Sequence, residues 1–516
     1  MNKTMRTGLI GMTIALWCII LPLYSYKVSV AQNTDFEVFY RAAFRASLGS
    51  WDFIYNLGDG ASPFRYAPPI LLLLQPLALL PMRQAELLWF FLQYGFFMGG
   101  FFFIFLSARL LAHQEAAKKR FYPLFLTCVS SLFILRFCLD TFTIGQSSSI
   151  LFFFLSLSFY GYLSRRPALS AWGLFWPALF KIGPGILFLL FIFLRRPERR
   201  KVYSHAFTAV FSAVAISSAW FFHFTGRIDT PISLWKNWLM IVQADSTYYD
   251  AAHYGSQSLK SALLRIANLG LFSRDFGSLT HLVLSALGCL GLCLLWGIRR
   301  PSTIAARAAF FSTGLFAYLL FMPETFKYSM TALAIPALVL AFEFKNLTRF
   351  QRFAFFFGIL TLSIPGKDIV GGFLFFSMQK ASIPFLGLSF LFFACLGLAW
   401  RRSSLPLFWR RVKLHVFSGQ MGPWETEPVS GTEGTSVLIP IPMRSTADVS
   451  PHALRTLITE LKIEGPFEIL AIPFGDRMSK AHPLELALNS LEAEGIAPLL
   501  RRLPPCPEDA RGWALR

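Results

Sequence analysis

The chain has 516 residues, 55% of them hydrophobic and 57 of them Phe, with 48 basic against 28 acidic side chains and a net charge of +20. This composition excludes an ordinary soluble domain, because apolar runs of about 18 residues or more, the length that crosses about 30 Å of hydrocarbon, recur along it. The basic residues fall in short clusters between those runs, so the positive-inside rule accounts for them and nucleic acid is not expected as a partner.

The chain therefore reads as a polytopic α-helical membrane protein of about a dozen spans. The first predicted span, 8–25, follows Lys3 and Arg6 and lacks a small-residue cleavage pattern, so it reads as an uncleaved anchor. A loop over 26–66 comes next and is expected on the external face. It gathers Asp35, Glu37, Asp52 and Asp59, four of the 15 acidic residues among the first 411 positions. A membrane protein that avoids carboxylates elsewhere and concentrates them in one loop points to chemistry there. Residues 35–47 predict an amphipathic helix on the membrane surface, with Phe36, Phe39 and Tyr40 beside Asp35. Asp35 is then either a general base for an attacking hydroxyl or a helix cap. Arg65 and Tyr66 form a basic-aromatic pair ahead of Pro68-Pro69, and the proline-flanked run 67–81 predicts a re-entrant or interfacial segment.

Spans are predicted at 85–108, 121–138 and 148–163, with Asp140 and Gly145-Gln146 in the turn between the last two. Residues 168–194 lie between basic clusters and are interrupted by Lys181 and Pro184, which predicts two short helices meeting at Lys181. A lysine in an apolar run costs about 2.5–3.5 kcal/mol on insertion scales. Lys181 either meets an anionic ligand or snorkels to the interface. After a span at 204–223, a second external loop is expected over 224–275. Within it Ser256, Gln257 and Ser258 offer hydrogen bonds, and Lys260 and Arg265 offer positive charge, although a helix cap explains the same pattern. Spans at 276–298, 305–322, 328–343, 353–370 and 381–400 complete the membrane part.

The first 411 residues carry 38 basic and 15 acidic side chains, the last 105 carry 10 and 13. Three regions follow: a membrane domain (1–411), a linker (412–435) and a small cytoplasmic α/β domain (436–516). In the last, 437–442 and 468–473 predict strands and 451–462 and 483–494 predict helices. The seven cysteines are isolated or lie in apolar runs and suggest neither disulfides nor a metal site.

Several motifs occur in a definite order: D-x-x-x-F-Y-R-A-A at 35–43, F-R-Y-A-P-P followed by L-L-x-x-P-L-A-L-L-P at 64–81, Gly145-Gln146, Lys181 with Pro184, and G-S-Q-S-L-x-x-x-L-L-R from Gly255. Over about 35–330 the chain resembles glycosyltransferase family 87, membrane mannosyltransferases of the GT-C fold that use polyprenyl-phosphate sugars. The resemblance implies inverting, metal-independent transfer without a cofactor, with Asp35 as base. Lys181, Gln257, Ser258 and Arg265 then face the donor phosphate or the acceptor. Tyr40, Arg65, Tyr66, Gln146, Ser256 and Lys260 complete the expected substrate-binding set. The partners implied are a polyprenyl-phosphate sugar, a lipid or glycan acceptor and membrane lipids. The place implied is the inner (plasma) membrane, and the basic clusters predict that both termini are cytoplasmic. One departure stands out: Met322-Pro-Glu-Thr-Phe-Lys-Tyr-Ser329 lacks the Trp and His that often follow Pro in that family. Two other readings of the residues are a transporter or lipid flippase with a polar path around Lys181, and a scaffold that presents the tail domain.

Overall fold

In a computed structural model, the described residues are 3–30, 34–56, 63–113, 121–194, 196–248, 252–299, 301, 303–364, 367–403, 438–443, 468–473, 500–502 and 513–515. The chain divides into two units, Met1–Phe417 and Ser418–Arg516.

Among the described residues, seven helices are long and apolar enough to cross a membrane. The first, α1 (Lys3–Val30), extends the expected span at both ends. The short α2 (Thr34–Ser47) is the predicted amphipathic helix. Apolar residues at 36, 39, 43 and 46 repeat at helical spacing and bury one face, while Glu37 and Arg41 pair at 3.0 Å one turn apart on the other. Phe36 and Phe39 pack on Trp89 and Tyr66, and each buried ring contributes about 1.5–3 kcal/mol to holding α2 down. Tyr40 hydroxyl donates to the Leu80 carbonyl at 2.9 Å, tying the same helix to the proline-flanked segment. That segment is a short helix α3 (Pro69–Leu74) continued by a 3₁₀ turn, Gln75–Leu79. Pro76 has no amide hydrogen to extend the helix, so the run stays too short to cross a bilayer.

Helices α4 (Met82–His113) and α5 (Tyr122–Ile144) follow, then α6 (Ser148–Leu163) and α7 (Pro167–Phe180). Glycines bring the last two together: a Cβ on Gly173 would lie 2.5 Å from the Ser158 amide nitrogen, and one on Gly161 would lie 2.6 Å from that of Ser170. This is the small-residue contact by which helices in lipid approach each other. The break expected at Lys181 is present. Lys181 is extended (φ −147°, ψ 124°) and is followed by a 3₁₀ turn, Gly183–Leu187, and α8 (Phe188–Ile192).

Helix α9 (Arg196–Thr225) leads to the second expected loop, which is largely helical: α10 (Asp229–Tyr248) and α11 (Leu259–Ala267) lie within it. The sequence had pointed to the second of these only. Beyond it run α12 (Arg274–Ile298) and α13 (Ile304–Phe321), the latter buried over nearly its whole length. The expected span 328–343 begins as a 3₁₀ turn, Lys327–Leu333, before α14 (Ala334–Phe342). The expected span 353–370 is broken into α15 (Arg349–Gly358), a π-helical turn Ile359–Ser363 and α16 (Lys367–Val370). Helices α17 (Gly372–Lys380) and α18 (Ile383–Arg402) close the unit.

In the second unit, strands β1 (Leu438–Met443) and β2 (Glu468–Pro473) fall where the sequence predicted them. They pair in parallel, and β3 (Leu500–Arg502) and β4 (Trp513–Leu515) extend the sheet in the order β1-β2-β4-β3. The helices predicted at 451–462 and 483–494, and the linker, lie outside the described residues.

Candidate active site

A cavity of about 490 Å³ opens where the ends of several helices meet. Its walls come from α2 (Asp35, Val38), the Pro63–Tyr66 stretch, the α5–α6 turn (Gln146), the break after α7 (Lys181), α10 (Trp238), α11 (Lys260) and the segment from Tyr318 to Ser329. Helices α5, α6, α7 and α13 each present one end to this cavity. Their other ends adjoin, in the sequence, the basic clusters at Lys118-Lys119-Arg120, Arg165-Arg166 and Arg299-Arg300, so the cavity lies at the helix ends away from those clusters.

The α5–α6 turn is held by α4. Trp89 Nε1 donates to the Gly145 carbonyl at 2.8 Å, and Gln93 Nε2 donates to the Gln146 carbonyl. Gly145 caps α5 in the left-handed region (φ 75°), where an L side chain costs about 1–2 kcal/mol. Gly145→Ala is expected to lower stability by about that amount, read as a lower melting midpoint in detergent. An unchanged midpoint would show that the turn relaxes freely.

The turn aims the Gln146 side chain at α2, where its Nε2 donates to Asp35 Oδ2. Asp35 is half-buried, and burial holds its carboxyl above the usual carboxylate range. The Gln146 hydrogen bond and the Lys181 and Arg65 charges act in the opposite direction. Tyr66 hydroxyl lies 3.4 Å from Gln146 Oε1, and the Tyr66 carbonyl accepts from Tyr55 hydroxyl at 2.8 Å. The Arg65 carbonyl accepts from Trp238 Nε1 at 3.0 Å, and Ala67 N donates to the Leu179 carbonyl at 3.2 Å, so the Arg65-Tyr66 stretch is anchored on two sides.

Lys181 places its ammonium 3.4 Å from Ser329 Oγ and 4.5 Å from the centre of the Tyr328 ring, a cation–π contact. Lys327, between those residues and Phe326, pairs with Asp140 on α5 at 3.1 Å and so fixes the 3₁₀ turn that carries Tyr328 and Ser329. Charged side chains in the cavity wall are Arg65, Lys181 and Lys260 against Asp35 and Glu324. Among the described residues no group of three or more His, Cys, Asp or Glu side chains is placed to hold a metal ion.

Of the residues singled out in the sequence, Asp35, Arg65, Tyr66, Gln146, Lys181 and Lys260 line the cavity together. Tyr40 does not; it braces α2. Ser256, Gln257, Ser258 and Arg265 do not line it either. They are buried behind the wall, where Gln257 also reaches Gln379, and Arg265 donates to the His253 and Ser256 carbonyls at 3.1 and 2.8 Å. Ser258 is the cap of α11 as well, its hydroxyl accepting from Ser261 N at 3.2 Å. Asp52 is exposed and away from the cavity, and Asp59 lies outside the described residues. Glu324, Tyr328 and Ser329 line the cavity and were not in the expected set. The departure at Met322–Ser329 was the one available signal, because that stretch is polar at the end of an apolar span.

These features define a class: a polytopic helical membrane protein whose helix ends enclose a cavity lined by carboxylates and cations. The sequence profile of glycosyltransferase family 87 matches residues 64–323, half of the chain. The chain belongs to that family and is a membrane glycosyltransferase. No curated protein matches the chain.

Proposed function

We propose that this glycosyltransferase transfers a hexose, with mannose the first candidate, from a polyprenyl-phosphate donor to a lipid or glycan acceptor on the extracytoplasmic face. The observation that carries this reading is the meeting of Asp35 with Lys181 and Arg65 in one cavity. An acceptor hydroxyl has a pKa far above neutral and needs a positioned proton acceptor as its bond to the sugar forms. Asp35 supplies it. As the acceptor oxygen attacks the anomeric carbon, the hydroxyl proton passes to the carboxylate and the bond from that carbon to the phosphate oxygen breaks. The departing phosphate keeps the electron pair, and Arg65, Lys181 and Lys260 offset its charge. Attack opposite the leaving group inverts the anomeric centre.

Three cations against two carboxylates leave one surplus positive charge in the wall, which suits a singly charged phosphodiester. The amphipathic α2 carries Asp35 at headgroup depth, where a lipid-linked phosphate lies. Basic clusters at the far helix ends favour the cytoplasm, which supports an external cavity and cytoplasmic termini, and the plasma membrane is the proposed location. In this reading the first unit is a GT-C-like membrane domain, the transfer needs no metal, and the tail is a small cytoplasmic α/β module. The test is to incubate membranes containing the full chain with radiolabelled polyprenyl-phosphate mannose and glucose and to look for labelled lipid or glycan. Absence of transfer from either donor overturns the reading.

The protonation of Asp35 gives a second expected result. A carboxyl raised by burial is charged only above a higher pH than a free one, so transfer falls as pH drops through that raised pKa. Gln146→Leu removes a donor that favours the charged form, so the acid limb of the pH–rate profile moves to higher pH. A limb that stays in place would mean that Asp35 does not set it.

A further inference from the structure

The transfer chemistry above leaves one charged group of the cavity without a task, Glu324. The profile match ends at Pro323, one residue before it. Its backbone is pinned on both sides by the buried stretch behind the wall. Ser258 Oγ donates to the Pro323 carbonyl at 2.7 Å, Thr325 N donates to Ser256 Oγ at 3.1 Å, and Gln257 N donates to the Thr325 carbonyl at 2.8 Å. Ser256 and Phe326 form an antiparallel bridge one residue further on. Ser256, Gln257, Ser258 and Arg265 are themselves buried: Ser256 and Ser258 are joined through the Ser261 hydroxyl, Arg265 donates to the Ser256 carbonyl, and Gln257 Nε2 donates to the Tyr254 carbonyl and Gln379. A polar network of this kind, set in a membrane protein, holds the backbone of one short wall segment to a fixed position. Glu324 is the charged side chain which that segment presents to the cavity.

Lys181 lines the same cavity as Asp35 and Glu324 and feels the charge of both. Their places differ: Asp35 accepts from Gln146 on the α2 side, and Glu324 lies in the segment that follows α13, from which Tyr328 and Ser329 also line the cavity. An ionised carboxylate only accepts hydrogen bonds, and it repels phosphate. In a cavity that also holds three cations, it complements the part of the substrate that is rich in hydroxyl donors.

We propose that Glu324 is the sugar-selecting residue of the site: its carboxylate accepts hydrogen bonds from ring hydroxyls of the hexose being transferred, which admits neutral hexoses and disfavours uronic acids. This inference rests on the reading of the cavity as the transfer site. It assigns a role to the stretch Ser256–Ser258 as well, as a positioning element for the Glu324 backbone.

The experiment uses membranes containing the full chain, which supply the acceptor, with undecaprenyl-phosphate mannose, glucose and galactose, then the monodeoxy analogues and the uronic acid of the sugar that is transferred best. Wild type is expected to transfer at least one monodeoxy analogue about 10–100-fold less efficiently in kcat/KM, the value of a hydrogen bond to a charged group. Glu324→Ala lowers kcat/KM for the parent sugar by a similar factor and leaves that analogue nearly unchanged, so the discrimination collapses. Glu324→Gln, which keeps size and one acceptor, loses discrimination in part and transfers the uronic acid better than wild type does. If Glu324→Ala does not accumulate, the Gln variant carries the same comparison. An equal loss on parent and analogue, or no change at all, overturns the inference while wild-type transfer leaves the reading of the site standing. If wild type transfers none of the panel, the reading and the inference fall together.

Discussion

Asp35→Asn is expected to leave a folded, membrane-inserted protein whose sugar transfer is lower by about 10²–10⁴-fold, the contribution of a positioned general base. Asn keeps the size of the side chain and an oxygen that can still accept from Gln146 Nε2, so the contact between α2 and the α5–α6 turn survives. What is lost is the ability to take a proton. The stability sign follows from the raised pKa. A carboxyl whose folded pKa lies above its unfolded value costs stability at pH above the folded value, and the cost disappears as pH falls through it. Neutral Asn never incurs that cost, so the melting midpoint at neutral pH should equal or exceed that of wild type. Asp52→Asn, at an exposed position away from the cavity, should transfer at close to the wild-type rate. Near-normal transfer by Asp35→Asn, with a donor that wild type uses, would remove Asp35 from the mechanism.

Lys181→Met is expected to lower transfer by about 10²–10³-fold, the loss associated with one preorganised electrostatic contact to developing charge. Methionine matches the length of the stem and fills the space between Tyr328 and Ser329, so the wall stays packed. It also removes a half-buried charge set in an apolar run, and the protein should accumulate and melt as wild type does. Lys181→Arg keeps the charge but must fit a planar group into a wall built around a point charge, so it should retain part of the activity. Full turnover by Lys181→Met would mean that the lysine serves the helix break alone. A loss of donor binding without loss of turnover at saturation would confine its role to the ground state.

Comparing sequence with structure, the periodic parts were the legible ones. The apolar face of α2 appears as Phe36, Phe39, Ala43 and Ala46 at helical spacing, and the break at Lys181 appears as a charge beside Gly183-Pro184 in an apolar run. Helix α10 was not legible, because Lys236, Gln243 and Asp245 interrupt its apolar residues and read as an external loop. The interruptions of the expected span 353–370 were hidden for the opposite reason. The phenylalanine-rich stretch before Pro365-Gly366-Lys367-Asp368 is largely apolar, and hydropathy does not report the helical pitch that changes at Ile359.

For the site, chemistry was legible and position was not. Asp35, Arg65, Gln146 and Lys181 stand out in sequence because charged or amide side chains are costly near lipid, and that cost depends on residue type and local hydropathy alone. Ser256, Gln257, Ser258 and Arg265 stand out equally, yet they lie behind the wall, and Glu324 lies in it. Side-chain polarity is the same in both places. What separates them is the hydrogen bonding that joins 256–258 to 323–325 across more than 60 residues of chain, a pairing that no local spacing encodes. The sequence by itself determined a helical membrane protein of glycosyltransferase family 87 with its carboxylates and cations in particular loops. Only the tertiary structure decided which of those groups share a cavity, because that depends on which helix ends meet, and packing between distant segments settles it.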